Sequence, residues 1–164
     1  AFARPSDPEF TIMKAVQPLR ELLPLLQPSL RNSNVQLRED FLSDPHIKAD
    51  AAQLKQVLIN LVKNAAEAMP DGGVVTLRTR TDRRGLGPRA TNVVILEIAD
   101  SGPGIAPDVA KRLFDPFFTT KASGTGLGLS IAARILEKHS GTLEYTTELN
   151  RGTIFRIVLP IAQA

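Results

Sequence analysis

Residues 50–69, DAAQLKQVLINLVKNAAEAM, carry the clearest helical pattern in the chain. Apolar side chains recur there at three- and four-residue spacing, which is typical of a helix with one face against a core. Asp50 stands where an N-cap residue belongs, and Pro70 follows the last apolar residue. The sequence therefore predicts a helix of about five turns, around which the other elements are arranged.

One face of this helix is polar. Asn60 and Asn64 lie four residues apart and share that face, and Gln56 and Glu67 extend it. Asparagine is a mediocre helix former, so this stripe suggests that a polar ligand, such as a hydrated cation, lies over the face. A hard cation such as Mg²⁺ accepts amide oxygens as ligands. The alternative is a solvent-facing stripe, which explains one asparagine better than the whole set.

The elements on either side of this helix alternate between helical and strand patterns. Residues 11–30 have apolar side chains at helical spacing and predict one helix, although three prolines must start, kink or end it. The remaining predicted elements are strands at 35–40, 46–50, 74–81, 92–100, 141–148 and 152–160, and helices at 108–114 and 127–139. This order predicts an α+β fold, a two-layer α/β sandwich with helices packed on one face of a mixed, largely antiparallel sheet.

Two loops contain closely spaced glycines. Asp100 ends an apolar strand and opens DSGPGIAP, in which Gly102 and Gly104 allow a tight turn and close ligand approach, although an ordinary turn is favoured for this loop by itself. GTGLG at 124–128 precedes a helix, whose positive N-terminal end suits an anion. The residues before Gly124 do not form the strand that a Rossmann loop requires, and no P-loop string occurs. By itself GTGLG is a weak signal, equally compatible with a flexible connection.

The composition sets further limits. The chain has 164 residues, 43% of them hydrophobic, which suits one compact domain. An excess of 20 basic over 17 acidic residues is weak evidence for a nucleic-acid partner, and the arginines between Arg78 and Arg89 are best explained as a solvated loop with basic flanks. Without cysteine, disulfides and thiolate metal sites are excluded. No apolar run reaches the roughly 18 residues of a membrane span, so a cytoplasmic fragment is expected, whose parent could still be membrane-anchored.

Four segments together resemble the ATP-binding catalytic domain of sensor histidine kinases, within the Bergerat-fold (GHKL, HATPase) group shared with gyrase B, Hsp90 and MutL. QVLINLVKNAAEAM is similar to the N box, DSGPGIA to the G1 box, LFDPFFTTK to the F box and GTGLGLS to the G2 box, in the family's order. The FTTK form and a short lid resemble nitrogen-regulation-type kinases most. The resemblance implies that residues 1–10 end a preceding dimerisation helix or linker and that residues 11–164 form the catalytic domain.

The resemblance also implies a Mg·ATP site. Asp100 would accept a hydrogen bond from the adenine 6-amino group, and Gly102 and Gly104 would shape the adenine pocket. Asn64 would bind Mg²⁺ through its side-chain oxygen, with Asn60 nearby orienting the metal, water or phosphates. Lys121 would reach the terminal phosphates, so Asn60, Asn64 and Lys121 are the expected catalytic residues. The other nucleotide-binding residues expected are Glu67, Ile105, Phe114, Phe118, Thr119, Thr120, Gly124, Thr125, Gly126, Leu127, Gly128 and Leu129.

Within that set, the backbone amides around Gly124, Gly126, Leu127 and Gly128 would cradle the phosphates. Phe114, Phe117 and Phe118 would anchor an ATP lid at about 115–123.

Two departures from the family pattern bear on mechanism. Gyrase, Hsp90 and MutL place a glutamate general base one turn before the metal-binding asparagine, whereas this chain has Asn60 there, which favours transfer to a protein acceptor over water activation. The candidate acceptor histidines are His46 and His139. Neither lies in a helical H-box context, so both are expected to be structural, with His139 suited as a cation to the negative end of its helix.

The function implied is therefore a histidine-kinase catalytic domain that transfers the γ-phosphoryl group of Mg·ATP to a histidine on a separate dimerisation domain. The expected partners are that domain and a response-regulator receiver domain, with no nucleic acid. The fragment is expected to be monomeric and the parent kinase homodimeric. The alternatives are a nucleotide-dependent regulatory binding module and an anti-sigma-type serine kinase of the same fold.

Overall fold

The computed structural model describes residues 7–85, 87–115 and 128–162. The strands are β1 (Thr11–Lys14), β2 (Val35–Phe41), β3 (His46–Ala49), β4 (Gly73–Arg84), β5 (Thr91–Asp100), β6 (Thr142–Glu148) and β7 (Gly152–Pro160). The helices are α1 (Gln17–Asn32), α2 (Ala51–Glu67), α3 (Pro107–Ala110) and α4 (Gly128–Lys138). The predicted α+β sandwich is confirmed.

The main sheet has five strands in the order β2-β4-β5-β7-β6. β2 pairs with β4 in parallel, and every other neighbouring pair in this sheet is antiparallel. β1 and β3 form a separate antiparallel pair. The C-terminal end of β5 thus lies beside the start of β7, so the loop after β5 faces the β6–β7 turn.

The helices cover one face of this sheet, with α2 packed against α1, α4, β4 and β5. Leu54, Leu58 and Leu61 are fully buried, as their three- and four-residue spacing predicts. Burying each of these side chains contributes about 1.5–3 kcal/mol, so α2 is the centre of the core. The Asp50 carboxylate accepts a hydrogen bond from the N–H of Gln53 at 3.1 Å, which confirms the predicted N-cap.

The single helix predicted over residues 11–30 is wrong in its first part. β1 pairs with β3 there, with Met13 buried and Ile12 exposed in strand alternation. The helix begins only at Gln17, and Pro18 occupies its first turn, where a missing N–H costs nothing. The apolar spacing fitted both structures, and pairing with a strand more than 30 residues away decided between them.

The segment after the Asp100 loop also differs from its prediction. The helix predicted at 108–114 is only α3, which is four residues long, and a turn follows it up to Phe114.

Among the residues described, no helix combines the length and the apolar character that a membrane crossing requires.

The other face of the sheet carries a row of alternating charges. The aligned residues, one from each strand in sheet order, are Asp40, Arg78, Glu97, Arg156 and Glu144. The Nε of Arg156 lies 2.8 Å from Oε2 of Glu97, and opposite charges on neighbouring strands stabilise their pairing. β4 continues to Arg84, which pairs with Glu144, so part of the arginine cluster predicted as a loop lies in a strand with acidic partners.

Candidate functional site

Asp100 is the last residue of β5, and it is half-buried. Its Oδ1 accepts hydrogen bonds from the backbone N–H groups of Gly102, at 2.9 Å, and Thr153, at 3.3 Å. Within the described part of the chain, Oδ2 accepts no hydrogen bond. Burial raises the pKa of Asp100 above its ordinary value, and the two N–H groups partly offset this rise. The carboxylate is held in one orientation, with one oxygen left for a ligand that donates a hydrogen bond.

The loop that follows, residues 100–105, depends on glycine at position 104 and is tightly packed at Gly102. Gly104 has a φ of 80°, and an added Cβ would lie 2.5 Å from the carbonyl oxygen of Glu148. A Cβ on Gly102 would lie 3.2 Å from Cγ of Met69, just after α2. Gly104 has the left-handed backbone conformation that glycine favours, and the loop packs directly on the end of α2.

The N-terminus of α4 lies against the polar face of α2. An added Cβ on Gly128 would come 2.6 Å from Oδ1 and 2.7 Å from Nδ2 of Asn60, so only glycine fits there without displacing that amide. Asn60 and Asn64 are both half-buried. The positive end of α4 therefore lies beside Asn60 on the predicted ligand face, an arrangement suited to anionic oxygens.

The remaining predicted residues lie around these two features. Glu67 is exposed at the last position of α2, and Ile105 is partly buried at the end of the Asp100 loop. Leu129, in the first turn of α4, packs against the core. The Asp100 loop thus lies at the C-terminal end of α2, and the start of α4 lies at Asn60, about two turns earlier on the same helix.

Phe114 packs into an aromatic cluster with one residue from each strand of the β6–β7 hairpin. Its ring centroid lies 5.9 Å from that of Tyr145, which in turn lies 5.7 Å from Phe155. The Tyr145 hydroxyl donates a hydrogen bond to the carbonyl of Ala110 at 3.3 Å. Phe114 is thus anchored where the segment beyond it begins. The predicted residues that lie outside the described part of the chain are Phe117, Phe118, Thr119, Thr120, Lys121, Gly124, Thr125, Gly126 and Leu127.

Sequence reasoning missed residues of the β6–β7 hairpin that support Asp100. Gly152 was predicted only as the first residue of a strand, yet its φ is 127° and an added Cβ would overlap the carbonyl oxygen of Asp100. The backbone N–H of Thr153 donates a hydrogen bond to the Asp100 carboxylate. The Thr147 hydroxyl contacts the Thr153 hydroxyl and accepts a hydrogen bond from the N–H of Ile105 at the end of the loop. A glycine directly after a turn was the one available signal, and it did not point to a partner more than 50 residues away.

His139 is buried, as expected for a structural residue, but it is not a cationic cap. Its Nδ1 lies 2.8 Å from the carbonyl of Ile135, which can only accept, so Nδ1 carries the proton. Its Nε2 accepts a hydrogen bond from the backbone N–H of Asp50 at 3.1 Å. The ring must be neutral to do both, so the expected imidazolium is wrong. His139 ties the end of α4 to the start of α2 and does not present a nitrogen to a phosphoryl donor.

Replacing His139 with alanine should lower the free energy of unfolding by about 2–4 kcal/mol. The change leaves a cavity between the two helices and removes the acceptor for the Asp50 N–H. Urea denaturation measures the loss, with His46→Ala as the control, since the side chain of His46 is only half-buried. An equal loss in both variants would contradict the structural role of His139.

The chain is similar in sequence to histidine kinases and related ATPases. Residues 49–163 match the family model described as histidine kinase-, DNA gyrase B-, and HSP90-like ATPase. Sporulation kinase E of Bacillus subtilis is 38% identical over 98% of this chain, and the match spans 21% of that protein. The sensory histidine kinase/phosphatase NtrB of Salmonella typhimurium is 37% identical over 96% of this chain, spanning 46% of NtrB. The near-equal identities support histidine kinases in general and only weakly the nitrogen-regulation type.

The fold is similar to solved catalytic domains. The catalytic domain of the histidine kinase ThkA, in a nucleotide-free form, superposes with a TM-score of 0.77 and 33% identity over 93% of this chain and 96% of that one. Another structure contains ThkA in complex with the response regulator protein TrrA, with a TM-score of 0.73 and 30% identity over 93% of this chain and 42% of ThkA.

Proposed function

Because this chain belongs to the family of histidine kinase-, DNA gyrase B- and HSP90-like ATPases, as a histidine-kinase catalytic domain, we propose that it binds Mg·ATP beside Asp100. The proposed reaction transfers the γ-phosphoryl group of ATP to a histidine of a separate dimerisation domain. The chain spans less than half the length of the two relatives compared above. The acceptor histidine is proposed to lie on a separate dimerisation domain. Residues 11–164 are the proposed catalytic domain, and residues 1–10 the end of the preceding helix or linker.

The observation that carries this proposal is the Asp100 carboxylate. Two backbone N–H groups hold its Oδ1, and Oδ2 accepts no hydrogen bond from the described residues. The adenine 6-amino group is a hydrogen-bond donor of the kind that such an oxygen selects. An amino group that satisfies a half-buried carboxylate gains a charge-assisted hydrogen bond, whereas a base with a keto oxygen at that position meets repulsion.

The amides of α2 suit a hard cation held by oxygen. No group of three or more His, Cys, Asp or Glu side chains that could hold a metal ion occurs within residues 7–85, 87–115 and 128–162. Asn64 is proposed to bind Mg²⁺ through its side-chain oxygen, with Asn60 beside it, because a hard cation accepts amide oxygens as ligands. The ion would neutralise the charge of the phosphates and orient the γ-phosphoryl group for in-line transfer.

The phosphates would extend from Asp100 towards the N-terminus of α4. The proximity of Gly128 to Asn60 supports this direction, because it brings the positive helix end and the amide face together. Lys121 is proposed to reach the terminal phosphate from the lid at about 115–123. The amides of residues 124–128 are proposed to cradle the phosphates.

In the proposed reaction, an imidazole nitrogen of the acceptor histidine attacks the γ-phosphorus of ATP. The new N–P bond forms as the bond to the bridging β–γ oxygen breaks, and ADP leaves with that electron pair. The imidazole proton passes to solvent or to a base of the acceptor's own domain. Asn60 stands where the hydrolytic relatives have a glutamate base, which disfavours water as the nucleophile.

Mixing this chain with the dimerisation domain of its own kinase and γ-labelled ATP tests the proposal. We expect acid-labile, base-stable phosphate on a histidine of that domain, which requires Mg²⁺. Tight ATP binding without transfer would contradict it and indicate a regulatory binding module. Acid-stable phosphate on serine would indicate an anti-sigma-type kinase. The phosphohistidine is then expected to be passed to a response-regulator receiver domain, and the whole kinase is expected to be a homodimer.

A further inference from the structure

The turn between β6 and β7 holds the Asp100 loop at its far end. The N–H of Ile105 donates a hydrogen bond to Oγ1 of Thr147 at 2.8 Å. The N–H of Asn150 donates to the carbonyl of Pro103 at 2.8 Å. The loop is therefore attached to a neighbouring hairpin by two of its backbone groups.

The same hairpin holds the loop at its near end. The N–H of Thr153 donates to Oδ1 of Asp100 at 3.3 Å, and Gly152 packs against the Asp100 carbonyl so closely that no side chain fits between them. Thr153 is 4% exposed, so this contact is sealed from water. The position of the hairpin thus sets the position of the carboxylate.

Thr147 is the side chain that connects the two ends. Its hydroxyl accepts from Ile105, lies 2.9 Å from Oγ1 of Thr153 and lies 3.4 Å from the carbonyl of Gly152. A hydroxyl has one proton and two acceptor lone pairs, so it can accept from Ile105 and donate towards the Thr153 side at the same time. The Thr147 hydroxyl therefore spans the gap between the loop's last residue and the strand that contacts Asp100.

We propose that Thr147 is a positioning residue for base recognition, which fixes the Asp100 loop in the geometry that selects adenine over bases without a 6-amino group. This inference rests on the proposed function, since it assumes that Asp100 receives the base. Thr147 acts through Ile105 and Thr153 and does not itself touch the nucleotide. Its loss would loosen the loop at Ile105 while leaving Asn60, Asn64 and the start of α4 in place.

The contact to the base and the contacts to phosphate and metal should therefore respond differently to the loss of Thr147. Removing the hydroxyl should weaken the contact to the 6-position of the base and spare the contacts to phosphate and metal. ATP and inosine triphosphate differ at that position, where an amino group in ATP is replaced by a keto oxygen. A merely structural role for Thr147 would weaken both nucleotides equally.

The test uses Thr147→Val, which removes the hydroxyl at nearly constant volume, and Thr147→Ser, which restores it. Thr146→Val is the matched control, because the hydroxyl of Thr146 lies on the opposite face of β6 and accepts from Arg156 at 3.0 Å. Competition against a fluorescent ATP analogue gives the dissociation constants for ATP and inosine triphosphate. Phosphoryl transfer to the dimerisation domain gives kcat at saturating ATP.

For Thr147→Val we expect a roughly tenfold weaker ATP affinity, because the loop loses the hydrogen bond from Ile105 that fixes its position. The affinity for inosine triphosphate and the kcat should change less than about twofold, and Thr147→Ser and Thr146→Val should resemble the unmodified chain. Equal weakening of both nucleotides, an unchanged ATP affinity, or a serine variant as weak as the valine variant would overturn the inference. If Asp100→Asn also leaves ATP affinity unchanged, the proposed function itself fails. If only Asp100→Asn weakens ATP, the role of Thr147 alone fails.

Discussion

Replacing Asp100 with asparagine is expected to weaken ATP binding about 100-fold while leaving the domain folded. A hydrogen bond to a charged group contributes about 1.5–3 kcal/mol, and each 1.4 kcal/mol is a factor of ten. If the new side-chain oxygen keeps accepting from Gly102 and Thr153, the amide nitrogen is left facing the 6-amino group of adenine, so two donors oppose each other. Isothermal titration calorimetry with Mg·ATP measures the change.

Asp40→Asn is the matched control, because it makes the same substitution on the opposite face of the sheet. Asp40 lies 3.9 Å from Arg78 in an exposed pair, which contributes at most about 1 kcal/mol to stability and has no contact with the site. ATP affinity should be unchanged in this variant. An unchanged affinity in Asp100→Asn would refute the assignment of the base pocket.

Asp100→Asn should leave the thermal stability of the domain equal to or higher than that of the unmodified chain at neutral pH. Burial is the largest cause of the raised pKa of Asp100, which means that the folded state holds the proton more tightly than the unfolded state does. The stabilising contribution of this group is complete below its pKa in the unfolded state, near 3.9. It is lost as pH rises through its pKa in the folded state. At neutral pH the ionised carboxylate therefore opposes folding, and asparagine removes that cost. A marked fall in the melting temperature would contradict this explanation.

Replacing Asn64 with alanine should abolish Mg²⁺-dependent phosphoryl transfer, with a loss of at least about 100-fold in rate. Charge neutralisation by a bound metal contributes several kcal/mol to such a transition state, and each 1.4 kcal/mol is a factor of ten. The adenine contact at Asp100 is untouched, so affinity for ATP without Mg²⁺ should change little. Transfer assays over a Mg²⁺ titration separate these two effects.

Lys63→Ala is the control for this variant. Lys63 is the exposed neighbour of Asn64 on α2, so the substitution tests a change of helix surface without a change of the amide face. Transfer should proceed at the unmodified rate. A similar rate in Asn64→Ala would show that the metal, if it is required, is held by other groups.

Much of the fold could be predicted from local patterns, because local chemistry decides those elements. The helix after Asp50 follows from an N-cap and a run of buried leucines, and Asp100 was recognisable as a carboxylate at the end of an apolar strand. β1 was missed because its apolar residues fit helical spacing equally well, and only pairing with β3 distinguishes the two structures. Such a contact is tertiary and overrides local propensity.

The residues that hold the Asp100 loop in place could not be predicted from local sequence patterns, for a related reason. A threonine such as Thr147 in an alternating strand is ordinary, and its partner Ile105 lies 42 residues away. The strand order β5-β7-β6 brings them together, and no window of sequence encodes that order. His139 shows the same limit, since its neutral state is fixed by the N–H of Asp50 on another helix, 89 residues away.

In the proposed site, an adenine nucleotide lies between the Asp100 loop and the polar face of α2. Titrating isotope-labelled protein with ADP, while backbone amide resonances are followed by NMR, tests this placement. We predict saturable shifts at Gly102, Ile105, Asn64 and Gly128, and unchanged resonances at Arg78 and Arg156 on the charged face of the sheet. Shifts confined to that charged face, or no saturable shifts at the Asp100 loop, would contradict this placement.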